Sequence, residues 1–175
     1  RITRNHGISR TLKERYSNGY PWDYDIKEVG YNYRLDEIRS SLGINQLKKI
    51  KILNKKRQNA FKYYNKNFKS IDGLITPSEK NLKHNACHLY ILRIKNNFKM
   101  TRNDLFRNLL SSGIRTTVHY KPLDKFEIYK KRGIIRDRLN NSNNLYNEII
   151  SLPLYPDIKK SDQDHVINNI LKFSI

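Results

Sequence analysis

From Leu35 onward the apolar positions recur at Leu35, Ile38, Leu42, Leu47, Ile50, Leu53, Ala60, Tyr64 and Phe68. Steps of three and four dominate, so the spacing predicts one amphipathic helix of many turns. Ile71-Asp72-Gly73 ends it with a turn signal, and Pro77 follows in a short linker. The pattern then changes. His88-Leu89-Tyr90-Ile91-Leu92-Arg93-Ile94 is a compact β-prone run that reads as a strand. Thr101 and Asp104 stand at capping-box spacing before Leu105, Phe106, Leu109 and Leu110, which predicts a short helix stopped by Gly113. Ile114 to Tyr120, rich in β-branched residues, reads as a second strand closed by Pro122. A short helix over Asn140 to Ile150, a brief extended segment Ser151-Leu152-Pro153-Leu154, and a last helix running through Phe173 complete the pattern. Ser161 and Asp164 offer a second capping box for that last helix. Helices and strands alternate, which places the chain in the α/β or α+β class. There is no internal repeat and no low-complexity tract.

The stretch before Leu35 is of another kind. It is polar, punctuated by Gly7, Gly19 and Pro21, and crowded with Tyr16, Tyr20, Trp22, Tyr24, Tyr31 and Tyr33. An aromatic loop without periodicity either lies against a partner or ligand or pads itself onto the body, and the residues leave both readings open.

Composition narrows the class. With 175 residues, seven Gly and one Cys, collagen-like and disulfide-rich scaffolds are excluded, and the length suffices for one sizeable core. No apolar run approaches a membrane span of about 18 residues. The single Cys87 forms no disulfide framework and points to a reducing, cytoplasmic setting. The chain starts at Arg1 rather than Met, which reads as processing or as part of something longer. Its net charge of +19 and the Lys48, Lys49, Lys51, Lys55, Lys56, Arg57 cluster raise a nucleic-acid-binding module as one reading. The basic residues occupy several helix faces, however, and Lys, Asn and Ile are abundant together. A compositional bias covers all three, whereas charge selection would enrich only Lys.

Candidate chemistry is sparse. There is no G-x-G-x-x-G, P-loop or nucleophile elbow, and the five His lack H-E-x-x-H spacing, so no metal site is expected. Cys87 reads as a small buried residue. Gly30-Tyr31-Asn32-Tyr33-Arg34-Leu35-Asp36-Glu37 carries Asn and Arg straight into a helix N-terminus, where an anion would find free N–H groups and a guanidinium fork. Asn32 as an ordinary helix cap is the alternative. Val118-His119-Tyr120 brings a His and a Tyr to the end of a predicted strand, as a recognition surface or as core. Ser151-Leu152-Pro153-Leu154-Tyr155-Pro156 reads as structural.

Taken in order, these segments resemble one family. Asn5-His6-Gly7-Ile8-Ser9-Arg10 comes first, then Gly30-Tyr31-Asn32-Tyr33-Arg34-Leu35-Asp36-Glu37-Ile38 running into Leu42-Gly43-Ile44-Asn45-Gln46-Leu47. His88-Leu89-Tyr90, Gly113-Ile114-Arg115 with His119-Tyr120, and Leu152-Pro153-Leu154-Tyr155-Pro156 follow. Over nearly its whole length the chain resembles the C-terminal half of the DegT/StrS-type nucleotide-sugar aminotransferases, which have the fold-type-I architecture of the aspartate aminotransferase group. Cys87 departs from the aromatic residue that relatives often carry before the His.

The resemblance implies a pyridoxal-phosphate enzyme that moves an amino group, usually from glutamate, to a keto-sugar nucleotide. It implies a homodimer with active sites at the interface. The cofactor-bearing Lys lies in an S-F-x-x-x-K-like segment ahead of the N-H-G-I-x-R stretch, and no Lys of this sequence sits in such a segment, so no catalytic residue is assigned here. Some members replace that Lys by His and act as dehydratases. On this resemblance Asn32 reaches across the dimer to the cofactor phosphate, Arg34 contacts the substrate's diphosphate, and His119 and Tyr120 line the sugar-nucleotide pocket. The expected organisation is a segment 1–34 from the end of the cofactor-binding domain, a connecting helix 35–70, and a small domain 71–175 built as an antiparallel sheet packed with helices. A non-catalytic or split remnant of such an enzyme is the third reading.

Overall fold

The computed structural model describes residues 2–9, 12–17, 22, 25–133 and 139–174. Arg10, Gly19, Tyr20, Pro21 and Tyr24, named above, lie outside the described residues. The chain divides into two compact units, Arg1–Lys49 and Ile50–Ile175.

In the first unit a short helix, α1 (Leu12–Ser17), stands where the sequence suggested only loop. The long helix α2 (Glu37–Phe68) begins in this unit. Asp36 starts it: its carboxylate accepts the Arg39 N–H at 2.9 Å and its carbonyl takes the first helical bond from Ser40 N–H. The cap is thus Asp36, and Asn32 lies four residues before that cap. The first turn is capped by a carboxylate rather than left open to an anion. Through this part of α2 the apolar stripe faces outward, with Ile38, Leu42 and Leu47 all well exposed.

The second unit holds the core. The later turns of α2 bury Ala60, Phe61, Tyr64 and Phe68. Three strands, β1 (Leu74–Ile75), β2 (Tyr90–Ile94) and β3 (Ile149–Leu152), form an antiparallel sheet in the order β1-β2-β3. Leu74 pairs with Ile94, and Tyr90 with Leu152. β2 alternates as its sequence demands: Tyr90, Leu92 and Ile94 are buried while Ile91 and Arg93 are half-buried. The expected linker before Pro77 contains β1, because Gly73 and Leu74 bring the chain back alongside β2.

Tyr90 organises this core. Its ring meets Tyr64 at 4.9 Å and Phe61 edge-on at 5.1 Å, and its hydroxyl donates to Asn65 Oδ1 at 2.9 Å. Asn65 in turn donates to the Pro77 carbonyl and to Glu79. A buried amide with these partners carries no unpaired-donor penalty. Burial pushes the Tyr64 and Tyr90 phenols far up, so both stay protonated.

Helix α3 (Arg102–Ser111) opens on Thr101, whose hydroxyl accepts the Asp104 N–H and also bonds the Asp104 carboxylate. Gly113, at φ +76, supplies the left-handed turn that ends it. Helices α4 (Glu127–Lys131), α5 (Asn140–Glu148) and α6 (Lys160–Leu171) follow. The second capping box does not form. α6 starts one residue before Ser161, its N-cap Lys159 makes no side-chain bond, and the Asp164 carboxylate is taken by the Tyr63 hydroxyl of α2.

The predicted second strand, Ile114 to Tyr120, is also corrected. Only Thr117 pairs, in one antiparallel bridge to Ser151 on the outer edge of β3. Propensity alone does not extend a strand whose neighbours lack a ladder partner.

Among the described residues no helix is long and apolar enough to cross a membrane, and no group of three metal-ligating side chains gathers. Cys87 is buried, and burial raises its thiol, which suits a packing role.

Candidate functional site

Two clusters hold the residues singled out from sequence, one in each unit.

The first is a two-stranded ribbon made by residues 3–8 and 26–33. Asn5 bridges Asn32 and Ile8 bridges Ile26, both antiparallel. Tyr31 N–H donates to the Thr3 carbonyl at 2.7 Å, His6 N–H to Tyr31 at 3.1 Å, and Tyr33 N–H to Arg4 at 3.0 Å. The strands cross so closely that only glycine fits. A Cβ on Gly30 would lie 2.0 Å from the Gly7 nitrogen, and one on Gly7, at φ +78, would lie 1.8 Å from the Glu28 carbonyl oxygen.

This crossing sorts the side chains. Residues two apart on extended chain share a face. Tyr31 and Tyr33 accordingly stack with centroids 5.0 Å apart and planes 8° off parallel. Asn32 and Arg34 fall in the alternate positions, across from Asn5. The Arg34 guanidinium donates through Nε (3.1 Å) and Nη2 (2.8 Å) to Asn5 Oδ1. The Asn32 carboxamide makes no hydrogen bond to another described residue. The result is a face of one half-buried amide, one exposed amide and an exposed cation, all offering N–H donors, which suits a many-oxygen anion. Asn5 is a member that sequence reasoning quoted in a motif without giving it a role.

The second cluster sits where Thr117 meets β3. Thr117 and Ser151 exchange backbone bonds of 3.4 and 2.8 Å. Two residues on, His119 Nδ1 lies 2.8 Å from the Ser151 hydroxyl. Tyr120 meets the imidazole edge-on at 4.8 Å and is 73% exposed; the peptide bond joining the two residues is cis. His119 is half-buried, so this pair forms neither a core nor a free surface but a polar ledge with one imidazole edge held. Ser151 lies in the segment that reads as structural from sequence. The signal for it was in the sequence: a lone hydroxyl within the otherwise apolar run Ile149-Ile150-Ser151-Leu152. The structure therefore brings Asn32 together with Arg34, and His119 together with Tyr120, each pair within its own unit.

Comparison with known proteins shows the family to which the chain belongs. The chain is 40% identical, over 98% of its length, to an uncharacterized protein of Methanocaldococcus jannaschii, of which it covers 45%. It is 36% identical over its whole length to a UDP-4-amino-4,6-dideoxy-N-acetyl-β-L-altrosamine transaminase of Campylobacter jejuni, covering 44% of that protein. The chain thus spans less than half the length of these curated relatives. Among solved structures, a putative sugar aminotransferase of Streptococcus pneumoniae in its PLP form superimposes with a TM-score of 0.76 at 26% identity, covering 99% of this chain and 42% of that one. The profile of the DegT/DnrJ/EryC1/StrS aminotransferase family matches residues 1–171, and the chain belongs to that family.

Proposed function

We propose that this chain is the C-terminal part of a pyridoxal-phosphate-dependent sugar aminotransferase. The enzyme moves an amino group from an amino acid, glutamate by resemblance, to a keto-sugar nucleotide, in surface-polysaccharide or amino-sugar biosynthesis. The observation that carries the reading is the ribbon face of Asn5, Asn32 and Arg34, with its uncommitted Asn32 amide, in a chain of this family. The donor set fits a phosphate: neutral N–H groups beside one fixed cation, and no carboxylate of a described residue bonded to any of the three.

When bound, pyridoxal phosphate supplies the electron sink that makes amino transfer feasible. This chain's residues bind and orient. Asn32 donates to the cofactor phosphate of the partner protomer's site. Arg34, braced by Asn5, pairs with the diphosphate of the sugar nucleotide. His119 and Tyr120 line the sugar-nucleotide pocket, where a held imidazole edge and an exposed phenol offer directional hydrogen bonds. A homodimer accounts for the outward apolar stripe of Ile38, Leu42 and Leu47, which an interface would cover. On this reading residues 1–34 finish the cofactor-binding domain, 35–70 connect, and 71–175 form the small domain.

The test is kinetic and uses the cofactor-loaded enzyme. Asn32→Ala is expected to weaken cofactor retention by about 1–3 kcal/mol, measured by dialysis against buffer without pyridoxal phosphate. Arg34→Ala is expected to raise KM for the sugar nucleotide with the cofactor still held. An unchanged KM removes Arg34 from the site.

A further inference from the structure

Ser151 is the one hydroxyl in a strand whose four residues are all buried, and it is itself only 4% exposed. Its hydroxyl makes no hydrogen bond to a described residue other than the one with His119 Nδ1 at 2.8 Å. A serine hydroxyl has one proton to donate and two lone pairs that accept. If Nδ1 carried a proton and gave it to Ser151, the buried hydroxyl proton would have no acceptor. Leaving a buried donor unpaired is costly. If Ser151 donates and Nδ1 accepts, both groups are satisfied by a single bond.

We infer that Ser151 is a positioning residue: it donates to His119 Nδ1, fixes the tautomer that carries its proton on Nε2, and so aims an N–H donor at an acceptor oxygen of the sugar nucleotide. The inference rests on the reading that His119 lines the substrate pocket. The geometry supports it independently of propensity or charge. Thr117 and Ser151 are locked by two backbone bonds, which fixes the start of the His119 segment against β3. The side-chain bond then fixes the ring, and Tyr120 packs on its edge. Three restraints on one imidazole leave it little rotational freedom, so the cost of ordering it is met before substrate arrives. A packing role alone would be served as well by alanine or valine in this strand.

The experiment uses the cofactor-loaded enzyme with Ser151→Ala, Ser151→Thr, His119→Ala and the Ser151→Ala/His119→Ala pair. Ser151→Ala is expected to raise KM for the sugar nucleotide about 5- to 10-fold, with kcat and cofactor retention little changed. Ser151→Thr, which keeps the hydroxyl, is expected to restore KM. On a His119→Ala background, Ser151→Ala is expected to add nothing. Ring-nitrogen resonances of histidine-labelled enzyme are expected to show His119 as the Nε2–H tautomer, and as a mixture in Ser151→Ala. If His119→Ala raises KM but Ser151→Ala does not, or if the two effects add, the positioning role is overturned while the reading of His119 stands. If His119→Ala leaves KM unchanged, the reading of His119 itself fails. Should Ser151→Ala not fold, Ser151→Cys, which keeps the volume but donates weakly, takes its place with the same expected rise in KM.

Discussion

The two units answer the same composition in opposite ways. In Ile50–Ile175 the apolar residues turn inward on Tyr90, and two buried amides there find partners: Asn65 bonds Tyr90 and Glu79, and Gln163 bonds the Ala60 carbonyl. In Arg1–Lys49 the apolar residues stand outward: Val29, Ile38, Leu42 and Leu47 are exposed, and order comes from a backbone ribbon instead of a core. Helix α2 shows both regimes in one element, with exposed Leu and Ile in its early turns and buried Ala, Phe and Tyr in its late ones. The contrast teaches that periodicity reports which residues share a face, and not what covers that face.

Core truncation tests the contrast most severely. Leu92→Ala is expected to cost about 2–5 kcal/mol of stability. Leu42→Ala, on the outward stripe, is expected to stay within about 0.5 kcal/mol in the monomeric chain, where no partner covers it. Urea unfolding measures both, and equal losses would mean that the first unit has a core after all.

A charge in the second unit gives a smaller effect with a sign. Lys95 and then Arg93 hold the Glu148 carboxyl below its ordinary range, outweighing the opposite push of burial. The folded value lies below the unfolded one, so the stabilisation is present above the unfolded value and disappears as pH falls through the folded one. Glu148→Gln is expected to lose about 1–2 kcal/mol at neutral pH, after allowing for the partial exposure of both cations. That loss should vanish at low pH, as followed by urea midpoints across a pH series.

The ribbon offers the most local test. Gly7→Ala places a Cβ against the Glu28 carbonyl at a positive φ, and should open the ribbon by about 1–3 kcal/mol. Hydrogen exchange is expected to quicken at the Tyr31 and Tyr33 amides, with Leu92 and Ile150 amides unchanged. A quickening that spread into β2 would contradict the separation.

Much of the architecture was legible. The long helix, the Thr101–Asp104 cap, the Gly113 stop, β2 and the last helix all follow from local spacing. Apart from the short helices α1 and α4, what failed depended on a distant partner. Ile114 to Tyr120 has strand composition, but only Thr117 finds a partner, and that partner is Ser151, thirty-four residues on. Ser161 and Asp164 have cap spacing, but Tyr63 competes for the carboxylate. Of the proposed site, Asn32, Arg34, His119 and Tyr120 rest on motif resemblance, whereas Asn5 and Ser151 emerge only from geometry. Both act by orienting another residue, and that role leaves no periodic trace.

The crossing of Gly7 and Gly30 works like a key in a slot. Two strands joined by a few backbone bonds would ordinarily be free to slide past each other. A slip of a single residue would turn each strand over, bringing Tyr31 and Tyr33 to the face that now shows Asn32 and Arg34. With glycine required at the same crossing on both strands, a shifted pairing drives a side chain into the opposite backbone. Two residues with no side chain thus determine whether the ribbon shows an amide and a cation or a pair of aromatic rings.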